Sequence, residues 1–409
     1  MSSEQLGTAR VFTELAGIAA AQRGLYPALP GPELRAAARD AIGVLDLAAA
    51  DVRVERTWTD GDLHGEELSW TVGFGPRTRA YLLKPRDADG PLPGVVALHC
   101  HAGMKYAGKE KIADGPEPPS PEVRRLRDAI YGGRAFANAL ARRGFVVLAH
   151  DVLTWGSRRF PLEIAEGPPA AAQRGDAPGA PLSETGAAPS GETGAAPSGE
   201  TGAAPSGETG AAPSGETGAV VLSEADRYDA AAKAHEHVVA KYCTVLGTSF
   251  TGVVAGEDLA AAAYLRSRPD VGAVGCAGLS GGGLRAALLG AFDPDQRAVV
   301  VAAMASSYRD LLDRHVPRHT WMLWPPGLAR LGDWPDLMAA RAPGPLMVQY
   351  ALRDELFPEE GMRRAHAIIG ERYRDAPESY AAVFAEVPHS FDVPMQERAF
   401  DWLAAQLRE

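Results

Sequence analysis

The sequence predicts an α/β fold in which a mostly parallel central sheet is covered by helices on both faces. Two observations predict this class. From Pro93 to the C-terminus, short apolar runs of strand length alternate with segments whose apolar residues lie at helical spacing. The runs are continuously apolar, which is typical of parallel strands buried on both faces, and their alternation with helices is typical of a sheet built from βαβ units.

The alternation gives the predicted order of elements in the second part of the chain. The predicted strands cover 94–99, 145–151, 271–279, 298–303, 346–351 and 381–387. The predicted helices cover 132–143, 253–268, 282–292, 362–373 and 395–407. We expect these elements to form one sheet and its two covering layers.

The N-terminal part of the chain has a different pattern. Apolar residues at helical spacing over 10–24 predict one helix, and Pro32 suits the first turn of a second helix. Alternating apolar residues over 52–54 and 70–74 then predict antiparallel strands at an edge of the sheet. We therefore expect a helical segment over 1–50, followed by the main domain.

An octapeptide array interrupts the main domain. GETGAAPS begins at Gly191, Gly199 and Gly207, and imperfect copies lie on either side. These repeats contain no large apolar residue, so they cannot bury enough surface to offset the entropy of ordering. We expect a disordered low-complexity insertion over 165–222, which divides the main domain into 51–164 and 223–409.

The charge and cysteine content exclude several classes of function. The formal net charge is −11, but eight acids and no Lys or Arg lie between Gly175 and Asp226, and without these eight charges −3 remains. The sequence has no basic patch that would indicate binding to nucleic acid. Three separated cysteines predict reduced buried thiols. With neither a signal peptide nor an apolar run of eighteen residues, we expect a cytoplasmic protein without a membrane span.

The segment Gly278-Leu279-Ser280-Gly281-Gly282 is a G-x-S-x-G motif. The motif alone is weak, but a predicted strand leads directly into it and a predicted helix leaves it. In such a sharp turn the serine hydroxyl is exposed, and glycines two residues away avoid a clash across the turn. The alternative of a phosphate-binding loop fits poorly, because the segment is neither G-x-G-x-x-G nor a Walker A motif. Ser280 is the predicted nucleophile.

A serine nucleophile requires a histidine base and an acid that orients it, in the chain order Ser, acid, His. His389 follows the last predicted strand and is the predicted base, in preference to His315, His319 and His366. Asp354 follows the strand over 346–351 and is the predicted acid. Glu355 is the alternative, whereas Asp392 is better placed to cap the last helix.

Acyl transfer also requires N–H donors for the developing oxyanion. The backbone N–H of Gly281, next to the nucleophile, is one candidate. The second is expected in the loop after the first parallel strand, where His101 is the first choice and Ala102 the alternative. His99, His101 and His150 could indicate a metal site, but no carboxylate or cysteine lies at ligand spacing, so no metal or other cofactor is predicted.

Five motifs together resemble one branch of a known superfamily: HCHAGMKYAGKEK, HDVLTWGSRR, GLSGGGLRAALL, RDELFP and PHSFD. They are similar to those of the acetyl-xylan-esterase and dienelactone-hydrolase-like branch of the α/β-hydrolase superfamily, over roughly 52–160 and 224–409. The resemblance implies the α/β-hydrolase fold, a Ser280, Asp354 and His389 triad, and an oxyanion hole from His101 and Gly281.

The same resemblance implies that Asp151 and Arg158 are structural or lie near the mouth of the site. Cys100 and Ala102 depart from the branch, where glycine is usual, and Ser280 stands where dienelactone hydrolases have cysteine. The expected function is hydrolysis of a small-molecule ester, of acetyl or another short acyl group, through an acyl-enzyme. A serine peptidase of the same fold and a non-catalytic binding protein remain as alternatives. The sequence predicts no oligomeric state.

Overall fold

The computed structural model describes residues 3–88, 90–167 and 222–408, and within them the chain forms a nine-stranded sheet. The strands are β1 (Ala50–Asp60), β2 (Leu63–Thr71), β3 (Thr78–Pro85), β4 (Leu92–Leu98), β5 (Val146–His150), β6 (Val271–Leu279), β7 (Val299–Ala302), β8 (Leu346–Ala351) and β9 (Tyr380–Ala385). Their order in the sheet is β1-β2-β3-β5-β4-β6-β7-β8-β9.

Helices connect the strands and cover the sheet. They are α1 (Ser3–Arg23), α2 (Gly31–Ile42), α3 (Pro121–Ile130), α4 (Phe136–Arg142), α5 (Leu162–Glu166), α6 (Glu224–Val245), α7 (Phe250–Ser267), α8 (Gly281–Phe292), α9 (Trp334–Ala339), α10 (Glu359–Arg372) and α11 (Val393–Leu407). Short 3₁₀ turns occupy much of the stretch between β7 and α9.

The predicted fold class is confirmed. Strands β4 to β9 are mutually parallel, whereas β1, β2 and β3 are antiparallel and form one edge of the sheet. Every residue of β5, β7 and β8 is buried, as the continuous apolar runs predict. Pro32 lies in the first turn of α2, as expected.

Two apolar cores lie on opposite faces of the sheet. Along β4, Val96 and Leu98 face one core, which α2, α7, α8, α9 and α10 complete. Val95 and Ala97 face the other, which α4 and α11 complete. Because successive side chains of a strand point to opposite faces, a strand must be apolar throughout to serve both cores.

The strand order reverses direction at β4, because the chain goes from β4 to β5 on one side and later to β6 on the other. The chain that follows β4 therefore leads to α4 on one face of the sheet, and the chain that follows β6 leads to α8 on the other face. In open α/β sheets, ligands bind outside the carboxyl ends of the strands where the strand order reverses in this way. The G-x-S-x-G segment leaves β6 and the histidine-rich loop leaves β4.

Some element boundaries differ from those predicted. Helix α4 begins at Phe136 rather than at residue 132, because Gly132 and Gly133 have positive φ angles of 63° and 78° that a helix does not accommodate. Helix α3 was not expected at all, and β2 ends at Thr71 before the predicted alternation is complete.

The predicted insertion falls largely outside the described residues, which resume at residue 222 after a gap over 168–221. Helix α5 ends at Glu166, so the first two residues of the predicted insertion belong to a helix, and Ala165 is buried. In the described ranges no single helix is long and apolar enough to cross a membrane; α6 and α7 pass that test only as a pair bent by 84°.

Candidate active site

Ser280 lies between the end of β6 and the start of α8, in a sharp turn. Its φ of 57° and ψ of −123° are far from the values that a non-glycine residue usually adopts. Two backbone hydrogen bonds fix this conformation: the N–H of Ser280 donates to the oxygen of Ala302 at 2.9 Å, and its carbonyl accepts from the N–H of Leu284 at 2.8 Å. Such strain is retained where the surrounding structure requires it, commonly at functional sites.

The glycines two residues from Ser280 are required by close backbone approaches. A Cβ on Gly278 would lie 2.4 Å from the carbonyl carbon of Gly282, and a Cβ on Gly282 would lie 2.1 Å from the oxygen of Leu98. No side chain fits at either position without displacing the backbone. The expected reason, a clash across the turn, is therefore confirmed for Gly278, whereas a side chain at Gly282 would clash with the end of β4.

Asp354 and His389 meet at the carboxyl edge of the sheet, where they follow the adjacent strands β8 and β9. Nδ1 of His389 lies 2.5 Å from Oδ2 of Asp354, whose side chain is fully buried. The other carboxylate oxygen accepts from the N–H of Leu356 at 2.8 Å. A carboxylate at Nδ1 places the ring proton there and leaves Nε2 as the nitrogen that can accept a proton.

The competing acids lie elsewhere. The side chain of Glu355 is 88% exposed and faces Arg318 at 3.6 Å. Asp392 caps α11 by accepting from the N–H of Met395 at 3.0 Å, as the sequence predicts.

The competing histidines lack a carboxylate partner in the described part of the chain. His366 contacts the hydroxyl of Tyr380 at 3.0 Å, and His319 contacts the oxygen of Leu356 at 3.1 Å. Burial lowers the pKa of His319 to about 4, so its ring is neutral at physiological pH. His389 is the histidine that the structure pairs with an acid of the predicted set.

The structure does not join all three predicted triad residues by hydrogen bonds. Among the described residues, Ser280 Oγ makes none with His389. Both residues nevertheless follow parallel strands of one sheet and leave its carboxyl edge. In ligand-free active sites this hydrogen bond is commonly long and shortens when substrate binds.

The loop after β4 lies directly against the turn that carries Ser280. A Cβ on Gly281 would lie only 2.8 Å from the backbone nitrogen of His101, so the two predicted oxyanion donors are neighbours. The next residue, Ala102, has a φ of 52°, and Gly103 has a φ of 66°. The loop therefore adopts a glycine-like path at Ala102 although an alanine occupies that position.

A buried carboxylate that the sequence analysis did not single out fixes the His101 side chain. The N–H of Gly103 donates to Nδ1 of His101 at 3.0 Å, so Nε2 carries the proton and donates to Glu236 at 3.0 Å. Glu236 also pairs with Lys105 at 2.5 Å and accepts from the hydroxyl of Thr320 at 2.7 Å. Although burial opposes the charge, His101 and Lys105 keep the pKa of Glu236 well below its usual value.

Glu236 belongs to a buried stripe of α6 that was readable in the sequence. Its neighbours in the stripe are Tyr228, Ala232, Val239 and Cys243, at spacings of three and four residues. A charged residue in the apolar stripe of a helix needs a buried partner, which was the available signal. Through Glu236, α6 contacts the loop that carries His101.

The other two histidines of the predicted metal alternative serve as buried structural groups. His150 Nε2 lies 2.9 Å from Asp258, which also pairs with Arg285 at 2.6 Å. His99 Nδ1 lies 3.2 Å from the oxygen of Cys100. No group of three or more His, Cys, Asp or Glu within 3–88, 90–167 and 222–408 has the arrangement of a metal site.

The three tryptophans between Ser280 and Asp354 have different environments. Trp334 is buried in the core and donates to the oxygen of Met304 at 2.9 Å. Trp324 packs against His319 with ring centroids 5.9 Å apart. Trp321 is 43% exposed, and its indole N–H donates to His237 at 2.7 Å. Of the three side chains, that of Trp321 is the most exposed.

Asp151 and Arg158 are buried structural residues. Asp151 accepts from the backbone N–H of Lys109 at 2.8 Å and from the hydroxyl of Ser157 at 2.8 Å. Arg158 pairs with Glu257 at 2.5 Å. Both side chains are fully buried, which agrees with the structural alternative of the two roles expected for them.

Comparison with known proteins places the fold. No protein-family model matches the chain. The chain is 22% identical over 304 residues to the Bacillus subtilis (strain 168) protein named "Putative hydrolase YtaP", covering 74% of this chain and 70% of that protein.

Solved esterase structures superpose on most of the chain. Acetyl xylan esterase 1 from Thermoanaerobacterium sp. JW/SL YS485 matches with a TM-score of 0.52 and 16% identity, over 94% of this chain and 97% of that one. A glucuronoyl esterase from Solibacter usitatus matches with a TM-score of 0.53 and 14% identity, over 92% of each chain.

These matches define the class of protein by its fold. The chain has the α/β-hydrolase fold that it shares with acetyl xylan and glucuronoyl esterases. The predicted resemblance to the acetyl-xylan-esterase branch is confirmed at the level of the fold.

Proposed function

We propose that this chain is a serine hydrolase that cleaves carboxylic esters through an acyl-enzyme. The single observation that carries the proposal is the pair formed by His389 Nδ1 and the buried Asp354 carboxylate, 2.5 Å apart, at the sheet edge from which Ser280 emerges. A histidine so oriented is suited to remove the proton of a serine hydroxyl, which is otherwise a poor nucleophile at neutral pH.

The proposed reaction begins when substrate binds at the carboxyl end of the sheet, where the loop after β4 meets the turn after β6. His389 takes the proton of Ser280 through Nε2 while Oγ attacks the ester carbonyl. The negative oxygen accepts hydrogen bonds from the backbone N–H groups of His101 and Gly281. The alcohol leaves with the proton from His389, and water, deprotonated by the same ring, then releases the acid and restores Ser280. No step requires a cofactor.

The proposed substrate is a small-molecule ester with an acetyl or other short acyl group. Structures of the same fold carry the names acetyl xylan esterase, glucuronoyl esterase and methylesterase, all of which denote carboxylic ester hydrolysis. The backbone N–H of Trp321 donates to Glu236, which also binds His101, so Trp321 lies close to the predicted oxyanion loop. Its side chain is 43% exposed and offers an apolar ring on which a sugar could pack.

A substrate panel tests this function and separates its alternatives. We expect the purified chain to hydrolyse p-nitrophenyl acetate and acetylated sugars, and to leave peptide p-nitroanilides intact. Hydrolysis of the anilides in preference to the esters would indicate a peptidase. Failure to hydrolyse any member, together with failure to react with a fluorophosphonate, would indicate a non-catalytic binding protein. Ser280→Ala is the matched negative control, because it removes only the attacking oxygen.

A further inference from the structure

Lys111 is a fully buried lysine in the loop region after β4. Its ammonium group donates three hydrogen bonds, all to backbone carbonyls of the loop that contains His101. The acceptors are the oxygens of Cys100 at 2.6 Å, Met104 at 2.9 Å and His101 at 3.3 Å. Lys111 forms no salt bridge with any carboxylate of the described chain.

The neighbouring buried lysines differ in this respect. Lys105 pairs with Glu236 at 2.5 Å, and Lys109 pairs with Asp151 at 3.1 Å. A buried charge without a counter-ion is costly, and a packed apolar side chain in its place would avoid that cost. The carbonyl partners of Lys111 therefore point to a requirement other than stability.

Two of those carbonyls belong to the peptide groups that carry the predicted oxyanion donors. The oxygen of Cys100 and the N–H of His101 are the two ends of one peptide group, and the oxygen of His101 shares a peptide group with the N–H of Ala102. In a trans peptide the C=O and N–H point in opposite directions. An ammonium at the oxygen end thus leaves the N–H end facing away from it, and the nitrogen of His101 does lie beside Gly281.

A cation on the carbonyl also changes the strength of the donor. Hydrogen bonds in a chain polarise one another, and the effect is larger in a buried site of low dielectric constant. An N–H whose own carbonyl accepts from an ammonium is therefore a better donor to a developing oxyanion.

We propose that Lys111 is a positioning residue for the oxyanion hole: its ammonium fixes the loop after β4 and strengthens the N–H donors of His101 and Ala102. This inference rests on the proposed function. Lys111 does not touch substrate in this role, since its three hydrogen bonds are all made to the far side of the loop.

The surroundings of Lys111 make its protonation sensitive to pH. Burial lowers its pKa to about 8. The carboxylates of Asp229 on α6 and Asp151 after β5 favour the charged form, Cys100 favours it only as a thiolate, and Arg285 on α8 opposes it. The rings of His99 and Trp155 lie nearby as well. The ammonium is therefore present at neutral pH and is lost as the pH rises through about 8, and with it the support of the loop.

Lys111→Met tests the proposal, because methionine fills a similar volume without the charge. With p-nitrophenyl acetate we expect kcat to fall at least tenfold at pH 7 and KM to change less than threefold. We also expect the wild type to lose activity with an apparent pKa near 8, and this alkaline decline to be absent from Lys111→Met. Burial lowers the pKa of Lys105 too, so the variant is needed to assign the decline.

Lys109→Met is the matched control, because Lys109 is a buried lysine of the same 3₁₀ turn, two residues from Lys111, and its ammonium pairs with carboxylates rather than with the carbonyls of the loop. It should lower the melting temperature, since Asp151 loses its counter-ion, but retain both kcat within threefold and the alkaline decline. If Lys111→Met does not fold, the dependence of the wild-type activity on pH still tests the proposal. Constant wild-type activity between pH 7 and 9.5 contradicts it.

Different results would contradict the proposed esterase function and the proposed role of Lys111. An inactive wild type whose Ser280 does not react with a fluorophosphonate removes the proposed function and the role of Lys111 with it. An active wild type together with a folded Lys111→Met of unchanged kcat and unchanged pH profile removes only the role of Lys111.

Discussion

Replacement of Asp354 by asparagine should disable the enzyme without unfolding it. Asparagine has nearly the same shape as aspartate, so the packing around the buried side chain is preserved. The hydrogen bonds are not. One carboxylate oxygen accepts from His389 Nδ1 at 2.5 Å and the other from the N–H of Leu356 at 2.8 Å. An amide has only one acceptor oxygen, so either orientation of Asn leaves an NH₂ group facing a donor.

The expected loss of rate follows from these contacts. If the amide oxygen faces Leu356, the NH₂ group donates to His389 Nδ1 and moves the ring proton to Nε2, where it blocks proton transfer from Ser280. If the oxygen faces His389, the NH₂ group opposes the N–H of Leu356. In both cases the imidazolium formed during reaction loses its counter-charge. We expect kcat to fall by about 10³–10⁴, which corresponds to about 4–5.5 kcal/mol in the barrier.

The assay is kcat/KM for p-nitrophenyl acetate, measured beside the melting temperature. Glu355→Gln is the matched control, because that side chain is 88% exposed and does not contact His389; its rate should stay within about threefold of the wild type. A nearly active Asp354→Asn with a crippled Glu355→Gln would refute the reasoning and make Glu355 the acid.

Two further predictions concern the backbone strain at Ala102 and the octapeptide array. Ala102 has a φ of 52°, which disfavours alanine, so Ala102→Gly should leave the free energy of unfolding unchanged or raise it by up to about 1 kcal/mol. The control Ala36→Gly, in the exposed face of α2, should lower the free energy of unfolding by about 1 kcal/mol. Equal losses in the two variants, measured by urea denaturation, would contradict the strain at Ala102. Replacement of 178–219 by a short Gly/Ser linker should keep the esterase rate within about threefold of the wild type. The octapeptide copies contain no large apolar residue to bury, and the entropy of loop closure depends only weakly on loop length. A tenfold loss of rate with the fold retained would show that the array takes part in catalysis.

The sequence was sufficient for the fold because the elements of the parallel sheet are periodic and well separated. The predicted bounds of β6 and β8 agree with the structure, and those of α11 differ by two residues at its start. Predictions were poorer where backbone conformation rather than apolar pattern decides. The start of α4 depends on positive φ angles at Gly132 and Gly133, and α3 is a short, largely charged helix with only two buried residues.

The candidate site could be predicted only where its residues lie in recognisable motifs. Ser280, Asp354 and His389 each follow a strand, so chain order and strand ends were enough to select them. Glu236 and Lys111 lie in no such position. Glu236 is 135 residues from His101 in the chain, and Lys111 acts on carbonyl oxygens, which have no side-chain signature. Spacing can indicate that Glu236 is buried in α6, but the partners of Glu236 and Lys111 are set by tertiary packing and cannot be inferred from spacing.

The most direct test of the central claim is covalent labelling by a fluorophosphonate, followed by peptide mass spectrometry. An activated serine hydroxyl attacks phosphorus at a useful rate, whereas ordinary serines do not. We predict one phosphonate per chain, on Ser280, with loss of esterase activity in proportion to labelling and no labelling of Ser280→Ala. Labelling that persists in Ser280→Ala, or esterase activity that survives complete labelling of Ser280, would contradict the claim that Ser280 is the nucleophile.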